Sequence, residues 1–311
     1  MTSRTCAVTV VLLCASCAFA PAAEKAPQKP LKETFALGHA YLCVDYGGNK
    51  VCRVGKDGKI EWEVKANRPQ DAWLLPNGNV LLTHVKGVQE VSPDKKVVWE
   101  YTVDPKSEVH ACQPLADGVV MIAESGPCRI IEVDREGKIV REVKLTTACT
   151  RAHGQMRCAR KLAGGNYLVG QVSDGVLREY DPTGKIVWEY KQKMAFGGIR
   201  LPDGNTLIAT GDVHRVVEVD PKGQVVWEIN ENDLPGCPLR FVAGMQRLAN
   251  GNTVICNWGG HGRVGQQPQI VEVSRDKKIV SRLWNDQQFK TISGVFILGE
   301  KADATKCELA R

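Results

Sequence analysis

Histidine and arginine collect in one set of loops in this sequence. His84, His110, His153, His214 and His261 are five of its six histidines, and Arg151, Arg157, Arg240, Arg263 and Trp258 share those loops. Imidazole exchanges a proton near neutral pH, and guanidinium holds anions through charge-assisted hydrogen bonds. His110, His153, Arg157, Arg240, Trp258 and His261 are therefore the candidate residues for a polar or anionic ligand. If catalysis follows, His110 and His153 are the candidate nucleophile or general base, with Arg157 and Arg240 holding the anion. The plainer alternative is that these are scattered, solvated loop side chains. As a metal pair, His110 and His153 lack a clear third ligand, and no His-x-x-x-His or Cys-x-x-Cys spacing occurs, so no metal is expected. Gly259-Gly260-His261-Gly262 reads either as a mobile lip over a site or as a bare Gly-rich insertion. No nucleophile elbow, Ser-His-Asp order or phosphate loop is present.

The elements that must position these residues repeat along the chain. Leu201-Pro202-Asp203-Gly204-Asn205 is a hairpin turn, and Asp220-Pro221-Lys222-Gly223 is a second turn before Val225-Val226-Trp227-Glu228. The first turn recurs at Leu75, Leu115, Leu162 and Leu248, at spacings from 39 to 47 residues. The run after the second turn recurs as Ile60-Glu61-Trp62, Val97-Val98-Trp99 and Ile186-Val187-Trp188, with Arg141 and Ser281 replacing the tryptophan in two units. A four-stranded unit of this length is a propeller blade. The expected fold is all-β: a six-bladed propeller of four-stranded antiparallel blades. Blades fall at 70–101, 110–143, 157–190, 196–229 and 243–283, with a sixth shared between the two ends. Residues 39–64 supply only three strands, and residues 292–298 supply the fourth. Such closure leaves no long free edge. Asp71, Ala111, Cys158, Gly197, Gly244 and Gly294 fall on the first strands, and small residues suit a crowded axis. The histidine-bearing loops all lie on the face opposite the short turns. Two β-sandwiches are the alternative architecture, but the unbroken repeat gives no domain boundary.

With the repeats in place, the chain resembles the quinoprotein-like propeller superfamily. Asp181-Pro182-Thr183-Gly184-Lys185-Ile186-Val187-Trp188 is similar to the tryptophan-docking repeat of pyrroloquinoline-quinone (PQQ) dehydrogenases. Met245-Gln246-Arg247-Leu248-Ala249-Asn250-Gly251-Asn252-Thr253-Val254-Ile255 and His110-Ala111-Cys112-Gln113-Pro114-Leu115 resemble arylsulfotransferase-type blades. The resemblance covers residues 40–298 and implies the fold. From the arylsulfotransferases it also implies a channel-facing histidine nucleophile, a place that only His110 matches. The quinone dehydrogenases have about eight blades and an adjacent cysteine pair. This chain has six units and no such pair, so no PQQ or other cofactor is expected.

Arg4, an apolar run from Cys6 to Phe19 and small residues at Ala20-Pro21-Ala22-Ala23 read as a signal peptide over 1–23, with a tether at 24–38, the propeller at 39–298 and a tail at 299–311. The protein is then exported, periplasmic or extracellular. Cys17 offers a lipoprotein site as a less favoured alternative, and nothing else is long and apolar enough to span a membrane. The 41 basic and 35 acidic residues are interleaved and leave a net charge of +6 without a basic block, which argues against nucleic acid. In an exported protein the remaining cysteines suggest disulfides, Cys43–Cys52 first, then Cys237–Cys256 and Cys112–Cys128; buried thiols are the alternative. The leading functional reading is an exported module that binds a polar or anionic ligand, or a partner protein, on its long-loop face. The other is a propeller enzyme, a sulfotransferase-like group transfer or a lyase or lactonase.

Overall fold

Short β-branched runs separated by Asp-Gly and Asn-Gly turns can fold only as hairpins. Gly204 shows why the turn residue is fixed: its φ of +88° lies where an L side chain is strained. The computed structural model describes Met1, residues 36–300, Thr305 and Arg311. The expected signal peptide and most of the tether and tail lie outside the described residues. No described helix is long and apolar enough to cross a membrane.

The described strands form six four-stranded antiparallel sheets. The shared blade holds β1 (Tyr41–Asp45), β2 (Lys50–Val54) and β3 (Ile60–Lys65). The next holds β4 (Ala72–Leu74), β5 (Val80–His84), β6 (Gly87–Val91) and β7 (Val97–Thr102). Then come β8 (Glu108–Pro114), β9 (Val120–Ser125), β10 (Arg129–Val133) and β11 (Ile139–Lys144). A single turn of helix, α1 (Ala152–Gln155), leads into β12 (Cys158–Lys161), β13 (Tyr167–Gln171), β14 (Val176–Tyr180) and β15 (Ile186–Lys191). The fifth has β16 (Gly197–Arg200), β17 (Thr206–Ala209), β18 (Val216–Val219) and β19 (Val225–Ile229). The last has β20 (Val242–Arg247), β21 (Thr253–Asn257), β22 (Ile270–Val273) and β23 (Ile279–Leu283), and β24 (Ile292–Ile297) returns to the first.

Strand β24 pairs with β1, so the ring closes as the repeat count requires. Asp45 secures the joint, accepting from the backbone N–H of Lys290 (2.9 Å) and of Thr291 (2.8 Å). Gln246 of the neighbouring blade accepts from the N–H of Ile297 at 2.7 Å. Tyr41, Cys43, Cys52, Ile292, Val295 and Ile297 share one buried cluster with Leu248 and Val254, so the seam is sealed by packing as well as by the ladder.

The outer-strand tryptophans join successive blades. Trp62 donates its indole N–H to the carbonyl of Pro93 (3.0 Å), Trp99 to Arg135 (3.1 Å), Trp188 to Pro221 (3.3 Å) and Trp227 to Arg275 (2.8 Å). Each acceptor lies in the outer turn of the following blade. A large ring, buried at Trp62 and Trp227 and half-buried at Trp99 and Trp188, with a satisfied polar tip suits that seam. At the same end of each blade, a turn asparagine binds a third-strand glutamate, as Asn79 binds Glu90 (2.6 Å), Asn166 binds Glu179 (2.6 Å) and Asn205 binds Glu218 (3.1 Å). Arginines of the following blade then pair with the same carboxylates, Arg200 with Glu179 at 2.6 Å and Arg247 with Glu218 at 2.8 Å.

The disulfide expectation needs correction. Cys43 stands opposite Cys52, Val44 opposite Val51 and Asp45 opposite Lys50, so the counted register holds. Yet all eight described cysteines are free thiols. Cys43 and Cys52 are buried side by side in the apolar seam, and burial pushes the Cys43 thiol well up, toward the protonated form. The pairings of Cys237 with Cys256 and of Cys112 with Cys128 are likewise not formed; Cys112 and Cys128 lie in different core clusters. These residues act as small buried hydrophobes.

Candidate functional site

The first strand of each blade lines the axis, so the residue just before it, or at its start, stands at the mouth on the long-loop face. Arg157 precedes β12, Phe196 precedes β16 and Phe241 precedes β20. They meet there with His153 of α1, Tyr46 of the β1–β2 turn, and Trp258 and His261 of the loop after β21, around a cavity of about 140 Å³. Gln70, Asp212, Met194, Val172 and Ser293 complete its lining. One wall is aromatic. The Trp258 ring meets Phe241 edge-on at 4.9 Å and His261 at 5.1 Å, Tyr46 meets Trp258 at 6.0 Å, and Phe196 meets Phe241 at 5.5 Å.

Gly260 makes this wall possible. A Cβ at that position would fall 1.8 Å from the Trp258 ring. Gly260→Ala should therefore swing Trp258 off the cavity while leaving the fold intact, since one exposed loop contact can relax. The expected readout is an altered near-ultraviolet circular dichroism spectrum with a melting temperature lowered by only a few degrees, on the scale of about 1 kcal/mol of overpacking. An unchanged spectrum would mean that the loop, not the ring, absorbs the contact.

The polar side of the site is built on β8. Glu108 and His110 are two residues apart, and His110 drops out of the ladder: Val109 pairs with Glu124 and Ala111 with Ala123. The resulting bulge re-aims the side chain, a frequent device beside functional sites. Glu108 Oε2 lies 2.8 Å from His153 Nδ1 and 3.1 Å from His110 Nε2. The second contact is off-line for a hydrogen bond, and both His110 ring nitrogens are buried without a hydrogen-bond partner. Burial, with the positive charge of Arg157 adding to it, pulls the His110 imidazole down to about 4. The two imidazoles, His110 first, hold the Glu108 carboxyl down to about 2. At neutral pH the cluster thus holds a carboxylate and a neutral buried imidazole.

Arg157 lines both the mouth and a smaller axial cavity of about 40 Å³ beneath it, which His110 also borders. Burial lowers its affinity for its proton. Among the described residues, none hydrogen-bonds or ion-pairs with its guanidinium.

Deeper on the axis the charges are paired. Asp71 takes Arg160 in a fork at 2.7 and 3.2 Å and Arg311 at 2.7 Å. Arg311 also donates to the carbonyl of Ala72 (2.9 Å), and its guanidinium lies 4.0 Å from the centre of the Trp73 ring. All three charged side chains are buried.

The structure thus brings His153, Arg157, Trp258 and His261 to one cavity and His110 to the adjoining one. Arg240 does not line either. Its guanidinium pairs with Glu231, which also takes His214 at 3.2 Å, so this cluster is neutralised on the rim. His84 faces Glu100 at 3.6 Å and stands apart. Sequence reasoning missed Glu108, Tyr46, Phe196 and Phe241. Glu-x-His on one strand was a usable signal, because alternate residues share a face. The aromatics carried none, since core and cavity aromatics look alike in sequence.

Comparison with known proteins places this geometry in context. A family model described as Mal s 1 allergenic protein-like matches residues 51–278. A crystal structure of a protein of unknown function from Bacteroides caccae is 30% identical, with a TM-score of 0.77 over 83% of this chain and 98% of that one. A catalytically inactive virginiamycin B lyase from Staphylococcus aureus, crystallised with quinupristin, is 15% identical, with a TM-score of 0.56 over 82% of this chain and 86% of that one. BBS1N, crystallised in complex with ARL6DN, is 12% identical, with a TM-score of 0.51 over 83% of each chain. The last two share the fold alone. No match was found among curated proteins. The resemblance to quinoprotein-like propellers is borne out as far as the propeller itself.

Proposed function

Because the chain belongs to the Mal s 1 allergenic protein-like family, whose matched region spans most of the ring, we propose a function carried by the mouth of that ring: binding a small anion with an aromatic or apolar body. One observation carries this reading. Arg157 is a half-buried guanidinium that lines the cavity with no partner among the described residues. A partly desolvated charge inside a cavity is stabilised by a counter-charge, and an anionic ligand would supply one. His153 and His261 add donors, and Trp258, Phe241, Phe196 and Tyr46 supply a face for the ligand's body. His261 lies 3.4 Å from Asp212, which keeps part of the rim acidic and favours a ligand with a single anionic end. The expected signal peptide supports a site of action outside the cytoplasm, periplasmic or extracellular.

The test uses benzoate and phenyl phosphate, with benzyl alcohol as the neutral comparison and inorganic sulfate as the small one. Calorimetric titration should show the aromatic anions binding tightest and weakening as salt rises. Arg157→Ala should cost about 1.5–3 kcal/mol of that affinity, roughly 10- to 150-fold. The same change should leave the melting temperature nearly unchanged, because among the described residues the Arg157 guanidinium makes no ion pair or hydrogen bond that would be lost. Equal binding of benzyl alcohol, or an unaffected variant, would sink the proposal.

A second reading is supported by Glu108, which orients His153 through their 2.8 Å contact as an acid orients a general base. The site would then be that of a lyase or group-transfer enzyme. Chemical turnover of a bound anion, lost in His153→Ala while binding persists, would favour it.

A further inference from the structure

We propose that Glu108, His110 and His153 form a binding site for one divalent transition-metal ion at the channel mouth. The donor atoms of the three residues all lie within 4.8 Å of one another. His153 Nδ1 and His110 Nε2 both face the same oxygen, Glu108 Oε2, at 2.8 and 3.1 Å. Bonds of about 2.0–2.2 Å to a tetrahedral ion require ligand atoms roughly 3.4 Å apart, so the two contacts to Glu108 must open by about 0.6 and 0.3 Å and the two histidine nitrogens, within 4.8 Å of each other, must settle to the same spacing.

A second observation points the same way. His110 is buried, stands out of its strand ladder, and has no hydrogen-bond partner for either ring nitrogen. An orphaned buried imidazole beside a carboxylate is costly unless a partner satisfies it, and a metal ion would do so. Two imidazoles and one carboxylate favour zinc and its first-row neighbours over calcium or magnesium, which prefer all-oxygen shells. Three protein ligands leave a coordination position open, as in zinc sites that act on a bound molecule. The cluster borders both cavities beside Arg157, so that position looks onto the same space. The three ligands come from two blades: β8 carries Glu108 and His110, and α1, leading into the following blade, carries His153.

The site rests on the cluster alone and stands or falls apart from the anion reading. Its test needs no anion. Purified protein is stripped with EDTA, dialysed and titrated with Zn²⁺ by calorimetry, and the Co²⁺ form is followed by visible absorbance. The expected result is one ion per chain and cobalt d–d bands of low coordination number. His153→Ala, at an exposed position that leaves the fold intact, should weaken zinc at least tenfold, and so should Glu108→Gln. His39→Ala, whose ring pairs with Glu272 far from the mouth, should bind as the parent does. Failure to saturate at one ion per chain would overturn the site. So would zinc affinity that survives both substitutions, or that falls equally in His39→Ala.

Discussion

Asp71→Asn should be among the most damaging single substitutions in the chain, lowering stability by about 3–5 kcal/mol, the cost of breaking a buried ion pair by removing one partner. Asp71 is the carboxylate between Arg160 and Arg311, and all three are nearly inaccessible to water. Its oxygens also accept from the backbone N–H of Cys112 at 3.2 Å, so the loss reaches the neighbouring blade. Asparagine keeps the shape and one acceptor but leaves two guanidiniums facing each other across the axis. Burial already draws Arg311 down to about 10 with the carboxylate in place. Urea unfolding should show the midpoint falling with an unchanged slope. Combining Asp71→Asn with Arg311→Leu should recover part of the loss, since one of the stranded charges is gone. If Asp71→Asn unfolds with the parent, the axial network contributes nothing to stability.

The second large effect is expected from the seam. A chain ending at residue 289 loses β24 and with it three buried side chains, Ile292, Val295 and Ile297. At about 1.5–3 kcal/mol each, their burial accounts for roughly 5–9 kcal/mol, the scale of a whole domain's net stability of about 5–15 kcal/mol. The truncation also bares β1 along its length and opens the ring at two edges, which invites association between chains. It should be recovered aggregated or without a cooperative thermal transition. Ending the chain at residue 298 separates the causes: it removes Arg311 but keeps β24, and should still melt cooperatively at a lower temperature. A truncation at 289 that melts like the parent would mean that the seam does not hold the ring.

The parts of this molecule that could be read from the sequence are those repeated in it. Aligning the turn at Leu201 with those at Leu75, Leu115, Leu162 and Leu248 averages away local ambiguity, so blade limits came within a residue or two, and counting outward from the loop at 46–49 set Cys43 directly opposite Cys52, as found. The same register put His153, Arg157, Trp258 and His261 on one face. What could not be read is what breaks the repeat. Asp71 occupies a position where the other blades have alanine, cysteine or glycine, and its partners lie 89 and 240 residues away. No local pattern encodes that. Arg240 shares the loop face with Arg157 but meets Glu231 first, a matter of loop conformation that spacing does not determine. The cysteines misled because an expected export signal pointed to oxidised pairs; here, facing positions in the ladder were not sufficient for a bond.

Arg311 changes what kind of vessel the ring is. With its side chain locked against Asp71, Ala72 and Trp73, the axis is stoppered part-way down, and the propeller is a cup rather than a pipe. Traffic is then one-way in, same way out. A guest in the deeper chamber beside His110 and Arg157 must leave past whatever sits between Trp258 and His153, so two guests would depart in the reverse of their order of arrival. A bulky occupant at the rim would lengthen the dwell time of a smaller one beneath it without touching it.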